Sequence, residues 1–133
     1  MSTRYAYEYS VIRVVPRPER EEFVNVGVIL FCDDCQFLRA RTELDEQRLL
    51  ALWPDIDVAT VKDHLDGLSR VCAGGLSAGP IGDLGPRERF RWLVAPRSTI
   101  LQTSAPHAGL SEQPDVSLER LLDQLVRTRS HSG

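Results

Sequence analysis

Residues 5–41, YAYEYSVIRVVPRPEREEFVNVGVILFCDDCQFLRAR, decide the fold. From Tyr5 to Val15 the residues alternate: Tyr5, Tyr7, Tyr9, Val11, Arg13 and Val15 share one side, and Ala6, Glu8, Ser10, Ile12 and Val14 the other. Aromatic and β-branched residues at a period of two make a strand. Pro16-Arg17-Pro18 ends it, because proline supplies no ladder donor. A charged turn, Glu19-Arg20-Glu21-Glu22, leads into FVNVGVILFC (23–32), the near-continuous apolar run of a central strand covered on both faces. Asp33-Asp34 reads as a two-residue hairpin turn, with Cys35 to Arg41 returning as a third strand. Such a turn sets Cys32 opposite Cys35, Leu30 opposite Phe37, Ile29 opposite Leu38 and Gly27 opposite Ala40. One face of the second strand then carries Phe23, Asn25, Gly27, Ile29 and Phe31. Its small, polar middle is the mark of a closely packed helix or of a pocket floor.

Helical signals follow. Thr42 with Asp45 three residues on resembles a capping box, with Leu49, Leu50, Leu52 and Trp53 behind it and Pro54 as the stop. Asp57 caps a second helix in which Val58, Val61, Leu65, Leu68 and Cys72 recur at helical spacing, and Gly74-Gly75 ends it. Residues 74–86 read as a long Gly/Pro-rich loop. Pro86 opens a short helix through Phe90, Trp92 and Leu93, which Pro96 breaks. Residues 98–103 (STILQT) read as a fourth strand, and Asp115 caps a last helix with Leu118, Leu121, Leu122, Leu125 and Val126 on one face. The class expected is α+β: a small, mainly antiparallel sheet, a three-strand meander plus a later strand, packed with helices. The 133 residues are read as a single domain, 1–133, with 126–133 as a disordered tail.

Sixteen Lys+Arg against nineteen Asp+Glu leave a formal charge of −3, which argues against a field-driven grip on nucleic acid or a polybasic hold on membrane. Three cysteines are too few and odd in number for a disulfide framework. The absence of a spanning apolar run and of a leader-like N-terminus places the chain in the cytoplasm as an expectation. Cys32-Asp33-Asp34-Cys35 is half of a zinc knuckle whose other half is missing, and His64 and His131 stand away from it, so no metal and no cofactor are expected. Lys62 is the only lysine, so almost all positive charge sits on arginine, whose planar fork suits two-point recognition of carboxylate or phosphate.

Two stretches carry candidate binding chemistry. Glu22 stands at the mouth of the second strand as an arginine anchor or base, and Asn25 in an apolar strand needs a hydrogen-bond partner once buried. The stretch from Arg87 to His107 lines up Arg87, Arg89, Arg91 and Arg97 with Ser98, Thr99, Gln102, Thr103, Ser104 and His107, charged forks followed by short hydroxyl donors. Asn25 and Gly27 would form the floor of a site and Arg91, Arg97, Ser98 and Thr99 its anion grip. No complete catalytic set is present: a second carboxylate for glycosidase or two-metal work is missing, and Ser98 or Ser104 with His107 lacks a strained nucleophile turn.

The blocks YSVIRVVPRPEREEFVNVGVILF (9–31), AGPIGDLGPRERFRWLVAPRSTILQTSAPHAGL (78–110) and LERLLDQLV (118–126) together resemble the bacterial family catalogued as domain of unknown function 3037. The resemblance implies a stand-alone cytosolic protein of this size and, because members often lie beside genes for HipA-like kinases, a partner of that kind; it brings no catalytic residue. Marked by it and by the chemistry above are Glu22, Asn25, Gly27, Arg91, Arg97, Ser98, Thr99, Gln102 and His107. The leading expectation is therefore a non-enzymatic accessory protein that works with a protein partner, with a homo-oligomer left open. A phosphate- or carboxylate-binding protein or enzyme is the second reading. Nucleic-acid binding through Arg87–Arg97 is the third, and the negative charge counts against it.

Overall fold

The computed structural model describes residues 3–97 and 99–127. The element order is β1 (Tyr5–Val14), β2 (Val24–Cys32), β3 (Phe37–Thr42), α1 (Glu46–Leu52), α2 (Val58–Ala73), α3 (Pro86–Val94), β4 (Leu101–Thr103), β5 (His107–Ser111) and α4 (Pro114–Leu125). All strand pairs are antiparallel in the order β3-β2-β1, with β4 and β5 both against the outer side of β1. The class is α+β. Ile12, Ile29 and Phe31 meet Leu49 of α1, Val61 and Leu65 of α2 and Phe90 of α3 on one face. Tyr7, Val28, Leu30 and Cys32 meet Leu118, Leu121 and Leu122 of α4 on the other. β2 is thus covered on both faces, as its apolar run requires, and each fully buried Leu, Ile or Val of this kind contributes about 1.5–3 kcal/mol.

Two local features depart from the alternation read along the sequence. The β2–β3 connection takes four residues, Asp33 to Gln36, and pairs Cys32 with Phe37, so the register lies two residues from the expected one. A two-residue loop needs a left-handed backbone at its centre. The chain instead turns over Asp33–Gln36, with Gln36 at φ 48° and its N–H donating to the Asp33 carbonyl at 3.0 Å. A slip of two leaves every side chain on its intended face. The second departure does not. Ile12 pairs with Gly27 but Arg13 pairs with Asn25, which leaves Val26 as a β-bulge. Val24 and Val26 therefore join Ile29 and Phe31 among the core residues of the α1–α3 face, while Asn25 turns to α4.

Gly27 is not a pocket floor. A Cβ there would lie 2.7 Å from the Arg41 carbonyl oxygen and 2.9 Å from Ile12 Cδ1, so the residue is glycine because two strands and a core side chain crowd it.

α1 is capped by Asp45, whose side chain accepts the Arg48 N–H at 3.1 Å, and Thr42 stays in β3. α2 is capped by Asp57 as expected. Residues 76–83 wind into 3-10 turns, with Ala78 and Ile81 against the core, rather than forming an irregular loop. α4 has Gln113 at its N-cap, not Asp115, and the Gln113 N–H donates to Ser111 Oγ at 3.0 Å.

β4 is shorter than the strand read over 98–103, and β5 was not expected. The two act as one strand along β1 with a break at 104–106, where Ser104 N–H donates to the Val11 carbonyl at 2.9 Å and Ser104 Oγ accepts the Val11 N–H at 2.9 Å. In β5 the Tyr7 ring lies across Gly109, so close that a Cβ there would come within 2.4 Å of it. Of the residues assigned to a tail, Val126 is buried and Arg127 is ion-paired to Glu43 and Glu119. Residues 128–133 lie outside the described residues.

Candidate functional site

The bulge gives Asn25 its role. Its Nδ2 donates to the Leu125 carbonyl at 3.1 Å, closing the last turn of α4 onto the sheet. Its Oδ1 is buried with no hydrogen-bond partner among the described residues, and so is Nε of Arg13, its cross-strand neighbour. The Arg13 guanidinium lies 4.3 Å from the centre of the Phe23 ring. Arg13 escaped the sequence reading because it looked like one polar position in an alternating strand. Beside Asn25 opens a cleft of about 1000 Å3 between the residues that precede and begin α1 and the C-terminal end of α4. Its cations are largely answered: Arg127 contacts Glu43 and Glu119 at 2.8 Å each, and Lys62 pairs with Glu46. Glu119 also reaches Arg41 at 2.7 Å. These pairs raise the Arg127 pKa, the Glu43 hydrogen bond contributing most.

The arginine stretch does not act as one patch. α3 starts at Pro86 as read, and its Arg87 turns to Asp33 in the β2–β3 connection. Arg89 reaches back to the end of α2, where Nη1 donates to the carbonyls of Val71 at 2.8 Å and Cys72 at 2.6 Å, and Nε donates to the Leu84 carbonyl at 3.0 Å. It satisfies carbonyls that the helix end would leave open, a role in architecture. Arg91 is exposed on α3. Arg97 donates through Nη2 to the Trp92 carbonyl and stacks over the Trp92 ring with 3.9 Å between guanidinium carbon and ring centre.

Arg97, Thr99 and Gln102 line a slot of about 320 Å3 between α2, α3 and β4, with Leu68 and Val71 of α2 on its far side. Thr99 Oγ1 donates to the Leu101 carbonyl, and Gln102 Nε2 points to the Thr99 carbonyl at 3.5 Å. Three of the nine candidates thus meet in one place. Ser98 lies outside the described residues. Asn25 belongs to the cleft beside α4, and Gly27 to the packed face behind it. Glu22 is exposed, paired with Arg20, and lines a separate cleft with Arg17 and Trp53. His107 stands on the open edge of β5, its ring 5.3 Å from that of Tyr9. The floor of Asn25 and Gly27 facing Arg91 and Arg97 is not assembled, because the bulge sends the two floor residues to opposite faces. The walls that α2 contributes to the slot carried no sequence signal beyond helical periodicity, since only tertiary packing sets them against β4.

The cysteines are buried or tied to one another. Burial pushes the Cys72 thiol up to about 12, with Arg89 opposing weakly. The hydrogen bond with Cys32, aided by burial, pushes Cys35 up to about 11. Both are held as thiols, poor nucleophiles and poor ligands at neutral pH. Among the described residues no group of three His, Cys, Asp or Glu side chains is placed to hold a metal ion, and no helix is long and apolar enough to cross a membrane.

The family model described as protein of unknown function (DUF3037) matches residues 9–126. No curated protein and no solved structure matches the chain.

Proposed function

The chain belongs to the DUF3037 family, and from that premise we propose that it is a cytoplasmic, non-enzymatic accessory protein that binds a protein partner, with a HipA-like kinase as that partner. One observation carries the reading. β5 leaves the outer side of the sheet open with a strand, HAGLS, that bears no acidic residue, lysine or arginine. Ala108 is exposed along it and Leu110 is 61% exposed. Native proteins guard such edges with charge, proline or a cover, and an unguarded one is a template for an incoming strand. The opposite edge, β3, carries exposed Arg39 and Arg41. Main-chain pairing along β5, with an apolar residue of the partner against Leu110, is the contact the reading calls for. The separation of the candidate residues, the burial of Cys72 and the hydrogen bond between Cys35 and Cys32 further favour an accessory role over catalysis.

The test is co-expression of the tagged chain with the HipA-like kinase of the same genome, followed by size-exclusion chromatography. The wild type is expected to elute with the kinase. Leu110→Lys, which places a charge on the edge at a position already exposed, is expected to elute alone with an unchanged melting temperature. A wild-type chain that elutes alone, or a Leu110→Lys chain that still carries the kinase in equal yield, would overturn the proposal.

A further inference from the structure

We infer that the slot between α2, α3 and β4 is a binding site for a small carboxylate carried on a flat apolar ring. Its walls come from Leu68 and Val71 of α2, Trp92 and Leu93 of α3 and Leu101 of β4. Trp92 remains 39% exposed, so one of the two tryptophans of the chain shows apolar surface beside an open cavity. At about 320 Å3 the slot is at the small end of ligand pockets, suited to a single ring and too tight for a nucleotide.

The charge at this slot is what selects the ligand. Among the described residues that line this slot, Arg97 is the one arginine or lysine and none carries a carboxylate, and among the described residues Arg97 enters no ion pair. One arm of its guanidinium is committed to the Trp92 carbonyl, and stacking on the Trp92 ring fixes the plane of the group. Nη2 keeps a second N–H, which with Nε or Nη1 beside it still forms a two-point fork for the two oxygens of a carboxylate. Burial is the cause that lowers the Arg97 pKa, so the guanidinium gains from an arriving anion what it has lost in hydration. Thr99 spends its hydroxyl proton on the Leu101 carbonyl and one N–H of Gln102 points to the Thr99 carbonyl, while His64 and Thr103 also line the slot. Arg97, the one guanidinium among the lining residues, is the anchor and the ring the remainder of the affinity. The same chemistry arrives either as a free aromatic acid or as the C-terminal carboxylate of a chain ending in an aromatic residue.

Fluorescence titration in a Trp53→Phe background, where Trp92 is the only tryptophan, tests the assignment with benzoate as probe. Benzoate is expected to saturate the signal at about 1–10 mM, the range open to so few atoms. Benzamide, of the same shape without the charge, is expected to bind at least about tenfold more weakly, and inorganic phosphate to give no saturable change. Arg97→Gln is expected to cost benzoate about tenfold in affinity. Gly67→Leu tests the site without touching the arginine. A Cβ on Gly67 meets only Arg70 Nη2, at 3.6 Å, so α2 has room for the branch point, and the leucine side chain is expected to fill the slot and abolish binding while circular dichroism shows an intact fold.

Acetyl-glycyl-phenylalanine separates the sources: tighter binding than benzoate identifies a peptide terminus, and weaker binding a free aromatic acid. Equal binding of benzoate and benzamide, benzoate binding that survives Gly67→Leu, or no saturation by either carboxylate overturns the assignment.

Discussion

The cleft beside α4 and the slot beside α3 hold the same kinds of residue in opposite states. In the cleft, Arg127 and Lys62 are met by Glu43, Glu119 and Glu46, and Asn25 closes the end of a helix. In the slot, Arg97 is partly buried with a ring beneath it and no carboxylate opposite it among the described residues. The larger cavity is the one whose polar groups are mostly occupied with holding the fold together. The difference teaches that size is a poor guide to a binding site here; an unanswered charge beside exposed apolar surface is the better one.

Three substitutions probe this contrast. The largest effect is expected at Gly27→Ala, which removes the close approach on which the Asn25 side depends. The added methyl would press on the backbone carbonyl of Arg41 and on Ile12, and overpacking of this kind costs about 1–3 kcal/mol. Chemical denaturation should place the loss in the upper part of that range, and a loss under about 0.5 kcal/mol would mean that the strands part more easily than their packing indicates. Next comes Asn25→Ala, which removes the bond to the Leu125 carbonyl and leaves that group to the solvent at the end of α4. A cost of about 1 kcal/mol is expected, with faster amide exchange confined to the last turn of α4 as its signature. The smallest effect, and of opposite sign, is expected on the slot side. Gly67→Ala should stabilise the protein by about 0.5–1 kcal/mol, because Gly67 sits inside α2 with room for a methyl group. A thermal melt that falls instead of rising would show that the slot is filled in the folded protein.

Much of the fold was legible in the chain. Strict alternation from Tyr5, the long apolar run of β2 and the helical spacing after Asp57 are strong because tertiary structure reinforces the local preference. The bulge was hidden by the same run that betrayed the strand: in FVNVGVILFC valines stand on both sides of Asn25, so its polarity marks an exception without showing that the strand changes face at Val26. β5 was hidden for the converse reason. HAGLS has no β-branched residue, and its pairing rests on Tyr7, far away in sequence, lying across Gly109.

Of the site, Arg97, Thr99 and Gln102 were legible as a run of donors, but their neighbours on α2 were not. Arg87 and Arg89 looked like members of the same patch, whereas helical geometry sends one to a turn and the other to a helix end. Asn25 stood out for the right reason, a polar group in an apolar strand, and its partner proved to be a backbone carbonyl 100 residues on.

The extra residue at Val26 behaves as a phase shift in a two-state code. Everything from Gly27 to Cys32 is written in one phase and everything before Val26 in the other. Deleting Val26 would restore an unbroken alternation: Asn25 would still reach α4 and Val24 would still face the core, and β2 would lose only the Val26 side chain from that core. One extra residue thus lets two valines face the core within three positions while the asparagine between them reaches α4.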